Sequence, residues 1–468
     1  MINNLTKMKD NKNFKNILIY ILPYMFAFGV CFFVIFKYLN ISIGQLPLMD
    51  YWLNRDVRIE RTLNDFKWEY IIYAPHGIHW NPLSVLADYV FINIFKCDNR
   101  AYVYAGFIMT CLTMLLVIKT YKRNYSTDNG IWNFVGLFTF LLTIINLNQW
   151  EILTIFCNFA FMTRIFIYLL LFDYLDTKIR NGNIKWSHVA IISISSIFVI
   201  NFISQAYYPG FVVAMICVMM VEIIFVTREK IKEYGVISLS LILGTVICIL
   251  CTVRESVTIA SDGGVGLMDT IKTYVKGIIL MLGSTIIHVT DQGYEMKRCY
   301  VAGTIILILS IIAVVLFFVK KIYCKTSFPL ACMIYAFVSI VVIIMGRVNV
   351  YGLGSVTSSR YVVETTIGLL GLVQIYWLLL SEYIENNKYN VLLPIIVITS
   401  IAISIIHNNY VEYQIGPARK QYNNTMVNLA LDIDNVSDEQ LAIFQAPAQE
   451  VRDGIATMKK YKLGLWRD

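Results

Sequence analysis

Residues 46–83 hold the densest group of side chains in this chain that could do chemistry. The segment opens with Leu-Pro-Leu-Met-Asp-Tyr-Trp and closes with Ala-Pro-His-Gly-Ile-His-Trp-Asn-Pro-Leu. It supplies one carboxylate, two imidazoles, one amide and two aromatic rings as candidate site residues: Asp50, His76, His79, Asn81, Tyr51 and Trp52. The chain around the segment is mostly apolar, so polar chemistry has few other places to occur. Trp and Tyr rings also settle at membrane–water boundaries, and an interfacial loop with anchoring aromatics is the competing interpretation.

The composition of the chain indicates a membrane protein. Of its 468 residues, 57% are hydrophobic and 15% charged, whereas about a quarter of a soluble domain is charged. The mean hydropathy is +0.63. Apolar runs of about 18 residues or more recur, and each is long enough to cross a hydrocarbon core of about 30 Å. The net charge of +8 is dispersed between these runs, which is typical of topology signals and does not indicate nucleic-acid binding.

Eleven apolar runs predict an all-α polytopic fold with about eleven transmembrane helices. The runs cover residues 17–36, 101–118, 131–149, 152–172, 187–205, 209–227, 235–253, 299–319, 327–346, 362–381 and 391–407. Basic residues cluster at the N-terminus and around positions 119–123, 178–185, 228–232 and 320–325. All five clusters fall on one side if every run crosses, and the positive-inside rule makes that side cytoplasmic. The first run reads as a retained helix, because no small-residue cleavage site follows it.

This topology puts the N-terminus in the cytoplasm and the C-terminus outside. It predicts a transmembrane domain over 1–407 with outer loops 37–100, 254–298 and 347–361, and a small helical tail over 408–468. The two long loops are rich in apolar residues, so we expect helices along the outer surface, for example over 83–95. Residues 277–287 are too short for an ordinary span and predict a re-entrant or interfacial helix. In the tail, Ser437 and Gln440 have the spacing of a capping box, and a second helix is expected over 448–460.

The cysteines do not indicate a metal site. Most of the ten fall inside apolar runs, where a cysteine behaves as a small hydrophobic residue. Cys97 and Cys299 lie near predicted outer boundaries and could pair, although their spacing does not favour it. No Cys/His group has the spacing of zinc ligands, and His76 and His79 beside prolines are more typical of loop hydrogen bonding. We expect no cofactor.

Three charged residues fall within apolar runs, where ionisable groups are costly and often functional. Arg164 lies well inside its run and is the strongest intramembrane candidate, either as a functional group or as one half of a pair between helices. Glu222 could extend to the cytoplasmic face. Glu364 follows Arg360 by four residues, a spacing that predicts a salt bridge along one helix.

The segment Gly346-Arg-Val-Asn-Val-Tyr-Gly-Leu-Gly-Ser-Val-Thr-Ser-Ser-Arg-Tyr predicts an anion site. Arg347 and Arg360 provide planar guanidinium groups that match phosphate oxygens. The glycines allow backbone N–H groups to approach an anion, and Ser359 adds a hydroxyl beside Tyr361. The segment follows a predicted span, which favours an anionic ligand at the membrane surface.

These motifs together resemble bacterial cell-envelope glycosyltransferases of the GT-C type. The likeness rests on Asp-Tyr-Trp early in the first outer loop, a later His-Trp-Asn-Pro, and Ser-Arg-Tyr before a late helix. In the tail, Asp-Glu-Gln-Leu, Val-Arg and Leu-Gly-Leu-Trp are similar to endings common in that group. The resemblance implies a polyprenyl-phosphate sugar as donor and an acidic residue of the first outer loop as base. Asp50 matches the base and Arg360 the phosphate-binding residue. The chain has one acid at this position where the family has a pair, so a metal requirement stays open.

The chemistry that the resemblance implies is also consistent with the residues themselves. Transfer of a sugar from a lipid phosphate to a hydroxyl needs a carboxylate to take the proton and positive groups at the departing phosphate. The sequence therefore predicts sugar transfer to an envelope glycan at the outer face of the plasma membrane, with membrane lipid, the lipid-linked sugar and the glycan acceptor as partners. Tyr51, Trp52, His76, His79 and Asn81 are the expected substrate contacts of the first loop.

Two other functions remain open on the sequence alone. A transporter or flippase for lipid-linked saccharides would use Arg164, Arg347 and Arg360 as a phosphate path. Such a protein should carry polar groups through the depth of the membrane, whereas here they gather on one face. A polysaccharide polymerase would share the arginine-bearing outer loops.

Overall fold

The structure is a computed structural model that describes residues 17–73, 75–76, 79–80, 82–155, 158–182, 184–204, 206–253, 267–289, 294–386 and 392–467. These residues form a helical bundle with a smaller helical layer at one end, which we name the cap. Eleven helical segments among them are long and apolar enough to cross a membrane. Every predicted run overlaps one of the eleven, so the multi-pass α-helical class is confirmed.

The helices are numbered in chain order. In the first half of the chain they are α1 (Leu22–Ser42), α2 (Arg55–Asn64), α3 (Trp68–Tyr73), α4 (Pro82–Asn93), α5 (Asn99–Asn124), α6 (Gly130–Ile144), α7 (Trp150–Thr154), α8 (Asn158–Arg180), α9 (Trp186–Phe198) and α10 (Tyr208–Phe225). In the second half they are α11 (Ile231–Val253), α12 (Leu267–Ile286), α13 (Tyr294–Val319), α14 (Phe328–Tyr351), α15 (Val362–Asn386), α16 (Leu392–Leu431), α17 (Asp438–Leu441) and α18 (Ala448–Lys460).

Short elements complete the fold. The π-helical turns are Ile17–Ile21 and Val199–Ile203. The 3₁₀ turns are Met49–Trp52, Leu147–Gln149, Ile322–Cys324, Leu353–Thr357, Ser359–Tyr361, Ile433–Asn435, Ala442–Phe444 and Gly464–Trp466. Strands β1 (Pro75–His76) and β2 (His79–Trp80) pair antiparallel, with His76 opposite His79.

The break between the third and fourth long helices is longer than the hydropathy pattern predicts. The pattern places it near residue 150, but α6 ends at Ile144 and the chain continues through a 3₁₀ turn and α7 before α8 begins. The Asn146 side chain accepts the Asn148 N–H and so starts the 3₁₀ turn. The Asn158 amide donates to the Leu153 carbonyl oxygen at 2.7 Å. Side-chain amides thus satisfy the backbone groups that these helix ends leave open.

Four of the helix ends that carry predicted basic clusters meet at the end of the bundle opposite the cap. Asp176 of α8 binds Arg123 of α5 at 2.8 Å and accepts the Ser327 N–H, beside the start of α14, at 2.6 Å. Arg180 reaches Glu222 of α10 at 2.8 Å. The sequence predicts that these ends share one side, and their direct contacts confirm it. Glu222 is 3% exposed, so it is paired within the protein and does not extend to water.

Helix α15 is the centre of the bundle. It belongs to the span Ser359–Tyr383, whose apolar 18-residue stretch is 94% buried, whereas the same share is at most 67% in the other candidate spans of the described residues. Its neighbours approach closely: Gly371 lies against the Pro329 carbonyl of α14, where a Cβ would come within 2.4 Å. Polar groups on α15 therefore face protein and not lipid, and their partners are residues of neighbouring elements.

Helix α12 is longer than predicted and is fitted tightly onto α13. A Cβ at Gly283 would lie 2.0 Å from the Cys299 carbonyl oxygen, and one at Gly303 would lie 1.8 Å from that of Ile279. Only glycine permits this approach of the two backbones. The helix begins at Leu267, ten residues before the apolar run. Cys299 is buried in this interface and Cys97 in the cap, and both are free thiols.

The cap joins the first predicted outer loop to the C-terminal tail. One apolar core contains Leu46, Trp52 and Ile59 from the loop together with Met426, Phe444 and Ile455 from the tail. Helix α16 has 40 residues, so it is about 60 Å long at 1.5 Å per residue. It runs without interruption from the bundle into the cap. The predicted helix over 83–95, the Ser437–Gln440 capping box and the helix over 448–460 are all confirmed as α4, α17 and α18.

The arginine-bearing segment is less loop-like than expected. Helix α14 continues to Tyr351, so Arg347 is a helical residue. Gly352, with a φ of 76°, ends the helix, and this is a backbone conformation that glycine adopts without strain. Two 3₁₀ turns then lead directly into α15. Of the glycines in this segment, Gly352 therefore adopts the backbone conformation that other residues disfavour, and it does so where α14 ends.

Candidate functional site

The Glu151 carboxylate fixes the Ser358–Arg360 turn. Glu151 is not among the predicted site residues. Glu151 Oε2 accepts the Ser358 hydroxyl at 2.8 Å, the Arg360 N–H at 3.0 Å and Arg360 Nε at 3.2 Å. The Glu151 N–H donates to the Ser359 hydroxyl at 3.3 Å. Charge-assisted hydrogen bonds of this kind are about twice as strong as neutral ones. Two predicted site residues, Ser359 and Arg360, are thus held on the first turn of α7.

Arg347 reaches the same turn from α14. Its guanidinium lies 5.8 Å from the ring centroid of Tyr361 and 5.2 Å from that of Tyr351. Tyr361 is 5% exposed and directly follows Arg360 in the chain, so Arg347 lies beside a buried ring next to the turn that holds Arg360. The structure therefore brings Arg347, Ser359, Arg360 and Tyr361 together, as the anion-site hypothesis requires.

Arg164 forms a buried ion pair with Glu364. Both side chains are fully buried, and Tyr335 also donates its hydroxyl to Glu364. The Arg164 guanidinium stacks on Tyr207, 4.0 Å from the ring centroid. The predicted salt bridge between Arg360 and Glu364 is wrong: each residue pairs with a partner some 200 positions away. The helical spacing was compatible with that bridge, but α15 begins only at Val362, so Arg360 lies outside the helix.

Tyr207 connects this buried pair with the Arg347 region. Tyr207 packs on the same apolar cluster that contains Tyr361. Burial and the nearby Glu364 carboxylate raise the pKa of the Tyr207 hydroxyl well above its ordinary value. It therefore remains neutral at physiological pH. A neutral phenol near Arg164 and Arg347 can donate a hydrogen bond to an anion.

A second buried carboxylate, Glu412 of α16, lies at the cap end of the bundle. It accepts the Tyr38 hydroxyl at 2.6 Å, faces His288 Nε2 at 2.6 Å and binds Arg419 Nη2 at 2.8 Å. We call these four residues the Glu412 cluster. The spacing of Glu412 and Arg419, seven residues apart on one helix, was the only sequence signal for it.

The Glu412 cluster contacts the Glu151 turn through one aromatic ring. Arg419 lies 3.3 Å from the ring centroid of Trp150, and Trp150 immediately precedes Glu151. Stacking on an indole face stabilises a guanidinium. The contact therefore connects the Glu412 cluster with the turn that Glu151 holds. The candidate site thus extends from Arg360 to His288 at one end of the bundle.

Tyr51 and Trp52, predicted as substrate contacts, are fully buried in the cap. The Tyr51 ring lies 3.7 Å from the Arg55 guanidinium. Trp52 Nε1 donates to the Pro47 carbonyl oxygen at 3.0 Å, and its ring packs on Phe444 at 5.1 Å. Neither ring presents surface to a ligand in this conformation, and a substrate-binding role for them stays a prediction.

An ion-pair network supports the first loop beneath Tyr51. Asp88 of α4 pairs with Arg55 at 3.4 Å and lies 3.9 Å from Arg58. Burial acts to raise the pKa of Asp88, but the two guanidinium groups outweigh it and lower that pKa. Asp88 is therefore charged at neutral pH and holds α2 against α4.

Four predicted site residues lie wholly or partly outside the described part of the chain. The backbone of Asp50 belongs to the 3₁₀ turn Met49–Trp52, and those of His76 and His79 to the paired strands. The side chains of these three residues and the whole of Asn81 are not described. Within the described residues, no group of three or more His, Cys, Asp or Glu side chains could hold a metal ion.

The fold defines a multi-pass α-helical membrane protein with its densest candidate site at the capped end of the bundle. Comparison with known proteins adds no family to this class: no protein-family model, curated protein or solved structure matches the chain.

Proposed function

We propose that the protein is a membrane glycosyltransferase of the GT-C type. It moves a sugar from a polyprenyl-phosphate donor to a cell-envelope glycan at the outer face of the plasma membrane. The observation that carries the proposal is the arginine pair at the bundle end: Arg360 is held in place by Glu151, and Arg347 borders Tyr361, the residue that follows Arg360. A lipid phosphate is an anion confined to the membrane surface, where such a pair would meet it.

The proposed reaction assigns one task to each charged group. The acceptor hydroxyl attacks the anomeric carbon, and Asp50 takes the hydroxyl proton as the new C–O bond forms. The bond from the anomeric carbon to the phosphate oxygen breaks, and its electron pair leaves with the polyprenyl phosphate. Arg360 and Arg347 stabilise the negative charge that gathers there.

Glu151 limits how Arg360 can act in this mechanism. Its carboxylate uses Nε and the main-chain N–H of Arg360, so the phosphate would be bound through the outer edge of the guanidinium. A residue fixed in this way loses less conformational entropy on binding. Glu151 is therefore a positioning residue for the donor site.

A transporter or flippase for lipid-linked saccharides is the second candidate. The observation that favours it is the Arg164–Glu364 pair, which is enclosed between α8 and the first turn of α15, beside Tyr207. Its charges compensate each other, however, and both side chains are fully enclosed. A phosphate path would need Arg164 to exchange Glu364 for the ligand, so the enzyme is the simpler proposal.

The decisive experiment is sugar transfer by purified protein in lipid nanodiscs that contain a polyprenyl-phosphate sugar. Asp50→Asn keeps the shape of the side chain and removes the base, so we expect a rate at least about a hundredfold lower. Asp65→Asn is the matched control, because Asp65 is an exposed aspartate of the same loop. A near wild-type rate for Asp50→Asn would contradict the base assignment.

The donor site is tested in the same assay with Arg360→Lys. Lysine keeps the charge but loses the planar fork, so we expect weaker use of the donor, with Arg61→Lys as the exposed control. Unchanged donor use by Arg360→Lys would remove Arg360 from the site. Passage of the lipid-linked sugar across vesicles without any transfer would favour the transporter instead.

A further inference from the structure

The imidazole of His288 has one ring nitrogen in use and one without a partner. Nε2 faces Glu412 Oε2 at 2.6 Å, and the side chain is 8% exposed. Nδ1 is buried and has no hydrogen-bond partner within the described part of the chain. Buried polar atoms are nearly always paired, and an unpaired one calls for an explanation such as a bound ligand or water.

The charges of the Glu412 cluster indicate which atom of His288 carries the proton. Arg419 makes two contacts with the Glu412 carboxylate, one of them at 2.8 Å from Nη2, and so balances its charge. Since the carboxylate can only accept, Nε2 of His288 donates to it. A neutral imidazole keeps the cluster electroneutral, and Nδ1 then presents a lone pair.

Glu412 is itself held by contacts that involve two further helices. Tyr38 of α1 donates to it at 2.6 Å, and Arg419 is stacked on Trp150 of α7. The backbone just before His288 is fixed as well, because Asn146 and Asn148 donate to the carbonyl oxygens of Thr285 and Ser284 at 2.7 and 3.0 Å. A carboxylate that orients one nitrogen of an imidazole leaves the other nitrogen aimed and ready to bind.

We propose that Nδ1 of His288 accepts a hydrogen bond from a sugar hydroxyl of the bound saccharide, and that Glu412 is its positioning residue. The choice of a sugar as ligand rests on the proposed glycosyltransferase function. The unpaired acceptor lies at the same end of the bundle as Arg360, to which it is connected through Arg419, Trp150 and Glu151.

Two substitutions of His288 separate binding from structural support. His288→Gln places an amide near the Nε2 position, so it keeps a donor for Glu412 and loses the Nδ1 acceptor. We expect an unchanged unfolding temperature and a KM for the lipid-linked sugar raised about tenfold, the usual effect of one lost hydrogen bond. His288→Asn keeps a polar atom near Nδ1 and loses the Glu412 contact, so it should lower the unfolding temperature and raise KM less.

The opposite pattern, in which Gln preserves KM and Asn raises it, would overturn the proposal and leave His288 as a structural partner of Glu412. An unchanged KM in both variants would also overturn it, because Nδ1 would then hold an ordered water only.

A spectroscopic arm distinguishes this inference from the proposed function. The protein, held in nanodiscs with ¹⁵N-labelled histidine, is titrated with octyl β-glucoside below its micelle concentration, and the His288 signals are assigned by their loss in His288→Gln. We expect the Nδ1 signal of a neutral imidazole to shift on addition of the glucoside. A shift in a protein that transfers no sugar would support the inference and refute the transferase. Transfer with no shift, and with KM preserved in His288→Gln, would refute the inference alone.

Discussion

The buried pair of Arg164 and Glu364 makes the sharpest prediction about stability. Both side chains are fully enclosed, so Arg164→Met would leave the Glu364 carboxylate with only the Tyr335 hydroxyl among the contacts described above. Removing one partner of a buried pair typically costs 3–5 kcal/mol, because the remaining charge is uncompensated. We expect the free energy of unfolding to fall by about 4 kcal/mol, within that range.

The double variant Arg164→Met/Glu364→Leu should be more stable than the single one. It removes both charges and leaves the Tyr335 hydroxyl without its Glu364 acceptor, which costs about 1–3 kcal/mol. The loss in the double variant should therefore be smaller than in Arg164→Met, although two residues are changed. This recovery distinguishes charge compensation from simple loss of packing.

Reversible unfolding by dodecyl sulfate, titrated into mixed micelles, measures the free energies of unfolding of Arg164→Met, Glu364→Leu and the double variant. Arg61→Met is the matched control, since Arg61 is exposed on α2 and surface changes usually stay within about 0.5 kcal/mol. A loss below about 1 kcal/mol in Arg164→Met would refute the reasoning, and so would a double variant whose loss equals the sum of the single ones.

Two further predictions concern topology and pH. Cysteine at the exposed Asn424 position of α16 should react with a membrane-impermeant reagent in intact cells, whereas cysteine at the exposed Asp128 position between α5 and α6 should not; the reverse result would contradict the predicted orientation. Burial acts to raise the pKa of Asp98, but hydrogen bonds from Arg100 outweigh it and lower that pKa below its ordinary value. At a pH above the ordinary carboxyl pKa of about 3.9, Asp98 therefore stabilises the cap. This contribution is lost as the pH falls through the lower pKa that Asp98 has in the folded protein. Hydrogen exchange of α18 should accelerate over that acidic range, less so in Asp98→Asn, while Asp434→Asn, an exposed control in the cap, should behave as wild type.

The sequence predicted the elements of the fold better than their ends. Hydropathy is a local property, and eleven long apolar runs required eleven helices that bury their own backbone hydrogen bonds. The boundary between α6 and α8 was misplaced because Asn146 and Asn158 set it through side-chain hydrogen bonds. Hydropathy does not record such bonds. Likewise Arg347 was expected in a loop, although its helix ends only at Gly352.

The sequence predicted which residues form part of the candidate site, but not the distant residues that they bind. Arg347, Ser359, Arg360 and Tyr361 all lie in the one segment 346–361, and a single motif sufficed to group them. Their anchor, Glu151, is 209 residues from Arg360, so no spacing rule connects the two. The Glu412 cluster was missed for the same reason: Tyr38 and His288 are 374 and 124 residues from Glu412.

The sequence by itself determined the class of the protein, the number of candidate spans, and the common end at which four of its basic helix termini meet. These features follow from runs of apolar residues and from charges beside them, which depend on neighbours along the chain. Only the tertiary structure decided that the first loop and the tail share one core, that Arg164 pairs with Glu364, and that His288 is aimed by Glu412. Each of these depends on helices distant in the sequence coming into contact, and burial of a charge selects its partner by proximity in space.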